Sequence, residues 1–215
     1  MNKSSAYLSR KEREHQARRH YILQAAEKLF AQRGFYGTTM ADLATGSEFS
    51  VGTLYNFFKS KEEVYYSLIM EKLDSMLQQL TGEINNLPEG LPQIKGVITG
   101  VFKFFQENKD FFRIFFAERF HLVTSVGPTA VGELRRKYLA YLRFVTKIMA
   151  RAIKQKEVQP VEPQKLAYFL VGIMNAFIFH WTVYAQKSEL ISEIPFIYKL
   201  FLEGAGKKRS KQDDV

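Results

Sequence analysis

Apolar residues recur at intervals of three and four along most of this chain, which is the spacing that gives an α-helix one buried face. The first such face lies on residues 22–30, and Gly34 is placed to end that helix. Two short helices are predicted between residues 39 and 59. Further helices are predicted over residues 61–84, 94–105, 111–120, 128–155, 164–186 and 192–203, separated by segments with Pro, Gly or Asn. The pattern predicts an all-α chain of about nine helices.

Residues that cap helices mark three starts in the segment from residue 38 to residue 63. Thr39 and Asp42 can cap the first short helix reciprocally, and Ser50 can cap the second. Ser60 with Glu63 forms the pair expected of a full capping box, which would open the long helix that follows. The segment therefore predicts two short helices joined by a tight turn.

The second short helix has an apolar and a polar side when residues 51–59 are placed at about 100° per residue. Leu54, Phe57 and Phe58 share the apolar side, and the polar side carries no acidic residue. Such a side can approach a phosphate backbone closely and read base edges, as in a helix-turn-helix. The predicted DNA-binding residues are Thr38, Thr39, Ser50, Gly52, Thr53, Tyr55, Asn56, Lys59 and Lys61.

Residues 34–64, GFYGTTMADLATGSEFSVGTLYNFFKSKEEV, closely resemble the DNA-binding signature of TetR-family transcriptional regulators. The resemblance implies that the threonines, Tyr55 and Lys61 hold phosphates. It implies that Gly52, Thr53 and Asn56 approach base edges.

Two positions depart from the family's usual pattern. Glu48 stands in the turn where the family often has glycine, and a left-handed conformation there would cost about 1 kcal/mol. Asn56 stands where the family often has histidine, and asparagine can pair bidentately with adenine. The second departure bears on the base preference.

The resemblance also implies a domain organisation and a function. Residues 1–20 would be a basic arm and helix start, 21–64 the DNA-binding domain, 65–206 a helical effector-binding and dimerisation domain, and 207–215 a disordered charged tail. The expected protein is a cytoplasmic homodimer that represses transcription from a pseudo-palindromic, double-stranded DNA operator until an effector binds. A transcriptional activator of the same fold is the alternative.

Aromatic residues are concentrated between residues 102 and 120, where eight phenylalanines occur. They are either plain core or, as the resemblance implies, the lining of a cavity for a small apolar or aromatic effector. The candidate effector residues are Phe105, Phe112, Phe116, His121, Tyr138, Asn175, His180 and Trp181.

Residues 166–186 contain no Asp, Glu, Lys or Arg, and this length could cross a bilayer. A helix that is apolar all round is equally expected when one face packs on its own core and the other on a partner subunit. Since the segment contains Asn175, His180 and Gln186, and no second span follows, we favour a dimer helix over a membrane span. The candidate interface residues are Phe169, Ile173, Phe177, Trp181, Ile197 and Phe201.

Charge and composition agree with a DNA-binding protein of the reducing cytosol. The net charge is +9, and residues 1–61 carry ten Lys and Arg against five Asp and Glu, hence +5 of it. Without cysteine the chain forms no disulfide and no zinc–thiolate site. The first nineteen residues lack the apolar core of a secretory signal.

A di-iron carboxylate bundle is the enzymatic alternative. Two Glu-x-x-His spacings occur, Glu12 with His15 and Glu118 with His121, and such bundles use two of these pairs in their core. The first pair lies in a charge-rich stretch without an apolar face, which disfavours burial. We therefore predict no metal, no cofactor and no catalytic residue.

Overall fold

A computed structural model of the chain describes residues 9–109, 111–112, 127–184 and 188–204. These residues form eight α-helices and one 3₁₀ helix and contain no strand, which confirms the all-α prediction. The helices are α1 (Arg10–Arg33), α2 (Met40–Gly46), α3 (Val51–Phe57), α4 (Lys61–Asn85), α5 (Leu91–Glu107), α6 (Gly127–Lys154), α7 (Pro163–Val183) and α8 (Ile194–Glu203), with the 3₁₀ helix at Leu190–Glu193. Most of the helix predicted over 111–120, and the tail at 207–215, lie outside the described residues.

Helix α1 begins at Arg10, within the segment 1–20 expected to contain a helix start and well before Ile22, where the apolar period begins. Ser9 and Glu12 form a reciprocal capping box, in which the Glu12 N–H donates to Ser9 Oγ at 3.2 Å and the Ser9 N–H donates to Glu12 Oε2 at 2.7 Å. Hydrogen bonding to the Ser9 side chain, and then to its backbone, holds the pKa of Glu12 below its usual range. The basic residues after Ser9 therefore lie on a regular helix.

The described residues divide into two compact units. The first comprises residues 9–73, 111–112 and 127–134. Its core holds α1, α2 and α3 against the start of α4 through Ile22, Phe30, Leu43, Leu54 and Tyr65, all of them buried. Gly46 allows the close crossing of α1 and α2, because a Cβ there would lie 2.7 Å from Leu29 Cδ1.

The second unit comprises residues 74–109, 135–184 and 188–204. Its core is formed by the apolar stripes of α5, α6 and α7, with α8 and the 3₁₀ helix packed on α5 and α7. The carboxylate of Glu157 accepts a hydrogen bond of 2.8 Å from the Leu91 N–H at the start of α5. Helix α4 is continuous and contributes residues to both units. The predicted functional boundaries at 20/21 and 64/65 stay predictions.

Candidate nucleic-acid interface

Helix α2 begins with the capping pair that the sequence predicts. The Asp42 N–H donates to Thr39 Oγ1 at 3.1 Å, and the Thr39 N–H donates to Asp42 Oδ2 at 2.9 Å. Hydrogen bonds from the Thr39 hydroxyl and then from its backbone lower the pKa of Asp42, and the nearby Arg33 guanidinium lowers it further. The cap fixes the start of α2 while Thr39 itself stays exposed.

The turn between α2 and α3 contains a strained residue. Glu48 has φ 58°, the left-handed conformation considered for this position. Ser47 is buried before it, and its hydroxyl donates to the Leu43 carbonyl at 2.6 Å. The Phe49 N–H donates to the Ala44 carbonyl at 3.0 Å, which closes the turn. The turn sets the angle at which α3 leaves α2.

Helix α3 presents its polar side to solvent. Ser50 caps it by accepting a hydrogen bond of 3.0 Å from the Thr53 N–H. Leu54 is fully buried, whereas Tyr55 is 52% exposed and Asn56 is also exposed. Gly52 is exposed as well, and a Cβ on it would meet only Ser50 Oγ, at 3.9 Å. The exposed surface of Ser50, Gly52, Tyr55, Asn56 and Lys59, together with the half-buried Thr53, is hereafter called the α3 face.

Thr38 must be removed from the predicted DNA-binding set. Its side chain is fully buried, and its hydroxyl donates to the Gly34 carbonyl at 2.8 Å. A hydroxyl committed to the end of α1 in this way cannot donate to a phosphate. Sequence pattern did not separate Thr38 from the exposed Thr39 beside it.

Lys61 has a role that the sequence did not predict. Its ammonium donates to the carbonyls of Phe35 and Thr38, each at 2.7 Å, and lies 4.3 Å from the centroid of the Phe35 ring. The first residue of α4 thus holds the turn that precedes α2. The phosphate contact predicted for Lys61 stays a prediction, and it would compete with these bonds.

The Ser60–Glu63 pair is only half of the predicted capping box. The Glu63 N–H donates to Ser60 Oγ at 3.3 Å, as expected. The Glu63 carboxylate, however, accepts from the Lys59 N–H at 2.6 Å, one residue before the expected partner. This contact fixes the backbone of Lys59 while its side chain remains exposed.

The amino-terminal part of α1 lies against α3, a contact that the sequence pattern did not indicate. The His15 ring stacks on Phe57 with centroids 4.5 Å apart, and the Arg19 guanidinium carbon lies 4.9 Å from the centroid of Phe58. The available signal was the Ser9-x-x-Glu12 spacing, a capping-box pattern that places a helix start before the basic residues.

The candidate effector residues do not all lie inside the protein. Tyr138 is 48% exposed, and Asn175 and His180 are exposed on α7, so these three do not line an enclosed cavity of the single chain. Trp181 is buried, and its indole N–H donates to the Ser188 carbonyl at 2.7 Å. Phe105 is half-buried in the second unit and Phe112 buried in the first. Phe116 and His121 lie outside the described residues.

Half of the candidate interface residues are wrong. Trp181, Ile197 and Phe201 are buried in the core of the second unit and are not available to a partner subunit. Phe169 is 49% exposed, and Ile173 and Phe177 are half-buried. Because α7 is apolar all round, hydrophobicity alone could not separate its core side from its outer side. Among the apolar residues of α7 and α8 that reach the surface are Tyr168, Phe169, Gly172, Ala176 and Phe196, and these five are hereafter called the α7–α8 face.

Helix α7 is, among the described helices, the one that is long and apolar enough to cross a membrane. A core helix of a globular domain meets the same criteria, and 39% of its most apolar window is buried within the chain. The Glu12–His15 pair does not form a metal site, because Glu12 caps α1 and His15 stacks on Phe57. Glu118 and His121 are outside the described residues, and the part of the chain that the structure describes contains no cluster of three His, Asp or Glu side chains suited to a metal.

An exposed helix without acidic residues, held by a tight turn against a second short helix, defines a helix-turn-helix DNA-binding regulator of transcription. The family model of bacterial regulatory proteins of the tetR family matches residues 22–68, which contain α2, α3 and the adjoining parts of α1 and α4. The DNA-binding region of this chain is thus of the tetR family.

Known regulators resemble this chain beyond the DNA-binding region. The uncharacterised HTH-type regulator YhgD of Bacillus subtilis is 28% identical over 166 residues, covering 76% of this chain and 84% of its own. The fatty acid metabolism regulator protein of the same organism is 22% identical over 193 residues, covering 87% and 95%. The crystal structure of FadR from Bacillus subtilis, in complex with stearoyl-CoA, gives a TM-score of 0.75 at 18% identity, covering 87% of this chain and 99% of its own. This last similarity concerns the fold.

Proposed function

We propose that the protein is a cytoplasmic, homodimeric repressor that binds a pseudo-palindromic operator and leaves it when an apolar effector binds. The observation that carries the proposal is the α3 face, which is exposed, free of acidic residues and thinned by Gly52. Two such helices in a dimer would enter successive major grooves.

The residues of the α3 face fall into two groups, those proposed to contact base edges and those proposed to contact phosphates. Gly52 lacks a side chain and so allows the backbone of α3 to approach the duplex closely. Thr53 and Asn56 can then contact base edges, and asparagine pairs preferentially with adenine. Tyr55 and Lys59 are exposed donors for phosphate oxygens. Thr39 at the start of α2 is also exposed, but its hydroxyl donates to Asp42 at 2.6 Å, so a phosphate contact there would compete with that bond. In this proposal Lys61 acts by holding the turn before α2 and leaves the phosphate contacts to Lys59.

The α7–α8 face supports the proposed dimer. It is an exposed strip of aromatic and small side chains, in which Gly172 and Ala176 would let two helices approach closely. Apolar surface of this kind is typical of a subunit interface. A symmetric dimer buries the same face of both protomers.

The effector class is supported by the relatives. A relative that is similar over most of both chains is a regulator of fatty acid metabolism, and FadR holds stearoyl-CoA. We therefore propose a molecule with a long acyl chain as the effector. Helix α4 is continuous and has residues in both units. A shift of α4 would therefore move Lys61 and disturb its hydrogen bonds to the turn before α2.

Selection of bound fragments from the organism's own DNA tests the proposal. The wild-type protein should enrich a pseudo-palindrome, and Gly52→Glu should abolish enrichment, since the new carboxylate would stand on the α3 face without disturbing the fold. Gly82→Glu is the matched control, because that helical glycine of α4 is also exposed and has open space beside it. Equal enrichment by both variants would refute the assigned DNA face.

A reporter placed behind the enriched sequence separates a repressor from an activator. Removal of the protein should raise transcription if it represses, and lower transcription if it activates.

A further inference from the structure

We infer that the amino-terminal part of α1 is a second DNA-binding element, in which Lys11 and Arg18 hold phosphates beside the groove that receives α3. The inference rests on the proposed DNA-binding function and adds a surface to it. It concerns residues 10–21, which precede the helix-turn-helix.

The first observation is that this part of α1 is fixed to α3. The His15 ring stacks on Phe57, the last residue of α3, at an interplanar angle of 30°. Arg19 lies over Phe58 and forms an ion pair of 2.6 Å with Glu71 of α4. The contacts hold α1 next to the carboxyl end of the helix that would read the bases.

The second observation is the direction in which the basic side chains point. At about 100° per residue, residues 11, 15, 18 and 22 fall on one stripe of α1. His15 on this stripe contacts α3, and Ile22 is buried in the core. Lys11 and Arg18 therefore flank the contact with α3, whereas Arg13 lies on the opposite side of α1.

The third observation is that these two cations are available. Arg10 is paired with Glu14 at 2.8 Å, and Arg19 is paired with Glu71. Lys11 and Arg18 are exposed and have no ion-pair partner among the residues that the structure describes. A duplex that receives α3 carries a dense row of phosphates alongside the groove, which is the partner that matches two free cations at this spacing.

Phosphate contacts of this kind are independent of sequence and sensitive to salt. Each contact contributes about 0.9 to the slope of log affinity against log salt concentration on duplex DNA. Two cations in each protomer of a dimer would account for about 3.6 of that slope. Their loss should weaken binding without changing the preferred sequence.

The test compares two double variants of the full-length protein by fluorescence anisotropy over a salt series. Lys11→Gln/Arg18→Gln removes the two cations, and glutamine keeps the helix propensity. Lys147→Gln/Lys154→Gln removes two exposed lysines of α6 at the same seven-residue spacing and serves as the matched control. The probes are a genomic fragment that the wild-type protein enriches and a duplex of the same composition in shuffled order.

We expect the α1 variant to lose about 3.6 units of slope on both duplexes, with the preference between the duplexes kept, and the control to match the wild type. Circular dichroism should show unchanged helix content in both variants. A slope for the α1 variant equal to that of the control would overturn the inference while leaving the proposed function intact.

Two single variants sharpen the assignment to one side of α1. Arg18→Gln should lower the slope, whereas Arg13→Gln, the same change on the opposite side, should leave it unchanged. Equal losses of slope from Arg18→Gln and Arg13→Gln would mean that the total charge of α1, and not the stripe that carries Lys11 and Arg18, contributes to DNA binding. If the wild-type protein binds the two duplexes equally, the proposed operator recognition fails, and the slopes still test the phosphate contacts.

Discussion

At the scale of single residues, Lys61 shows how a family resemblance and a structure can assign different roles to one side chain. The resemblance makes it a phosphate ligand, and the structure makes it the donor to two carbonyls of the turn before α2. Hydrogen bonds from a charged group contribute about 1.5–3 kcal/mol each when partly buried. A phosphate contact of Lys61 would therefore have to replace two hydrogen bonds of this strength.

Substitution of Lys61 separates the two roles. Lys61→Met should lower DNA affinity by loosening the turn, with the salt slope unchanged, because no phosphate contact is lost. Lys59→Gln should lower the slope by about 1.8 per dimer, since each protomer loses one contact. Both slopes are read from binding isotherms in a salt series. A drop in slope for Lys61→Met would return Lys61 to the phosphate-binding set.

Asp42 makes the stability of the DNA-binding unit depend on pH. The hydrogen bonds from Thr39 lower the pKa of Asp42 in the folded protein. The ionised carboxylate therefore stabilises the fold at any pH above the pKa that Asp42 has in the unfolded chain. This stabilisation is lost as the pH falls through the lowered pKa of the folded protein. Asp42→Ala should therefore melt below the wild type at neutral pH, and the difference should close in acid.

Differential scanning fluorimetry between pH 7 and acid measures this convergence. Glu203→Gln, at the exposed end of α8, serves as the control and should not change the melting temperature at neutral pH. A gap between Asp42→Ala and the wild type that persists in acid would show that the carboxylate charge is not what Thr39 stabilises.

At the scale of elements, the capping residues decided what could be predicted. Thr39 and Ser50 predict the starts of α2 and α3, because a helix cap is a hydrogen bond between residues that are close in sequence. The start of α1 was expected within residues 1–20 but was not placed at Ser9, although Ser9 and Glu12 carry the same signal, because the exposed residues that follow lack an apolar period. Capping residues were therefore sufficient to predict the starts of α2 and α3, and hydrophobic periodicity was the weaker indicator of where a helix begins.

Helix α7 shows what the sequence could not provide. Its residues are apolar on every side, so the pattern could not tell which of them face the core of the same chain. Trp181 was predicted for the interface, yet it is buried and donates to Ser188. The same limit applies to Thr38, whose burial depends on a contact with the end of α1.

The exposed side of α7 yields a prediction about assembly. Phe169→Glu should dissociate the dimer, because two carboxylates related by symmetry would enter an apolar interface at a cost of about 3 kcal/mol or more, equivalent to at least ~100-fold in affinity. Tyr138→Glu is the matched control, since Tyr138 on α6 is 48% exposed and Phe169 is 49% exposed. Light scattering reports the mass of both, and an undissociated Phe169→Glu protein would mean that the α7–α8 face is not the interface.

At the scale of the whole molecule, the net positive charge is concentrated towards the amino-terminal helices. Residues 1–61 carry +5 of the net +9, and they include α1, α2 and α3. Exposed aromatic residues recur on α7 and α8, where Tyr168, Phe169 and Phe196 lie. A basic surface suits a polyanion, and an apolar face suits a subunit or a lipid-like ligand. Regulation by an effector requires that binding at the apolar surface changes the affinity of the basic surface for DNA.

Stearoyl-CoA should weaken binding of the enriched duplex by tenfold or more, which corresponds to a coupling free energy of about 1.4 kcal/mol. A ligand acts in this way only through a difference in its affinity for the free and the DNA-bound arrangement. By reciprocity, the duplex must weaken stearoyl-CoA binding by the same factor, and titration calorimetry in both orders measures the two. Free coenzyme A, which lacks the acyl chain, is the control and should have no effect. If stearoyl-CoA binds tightly but leaves duplex affinity unchanged, it is not the effector, and if it does not bind, the effector belongs to another chemical class.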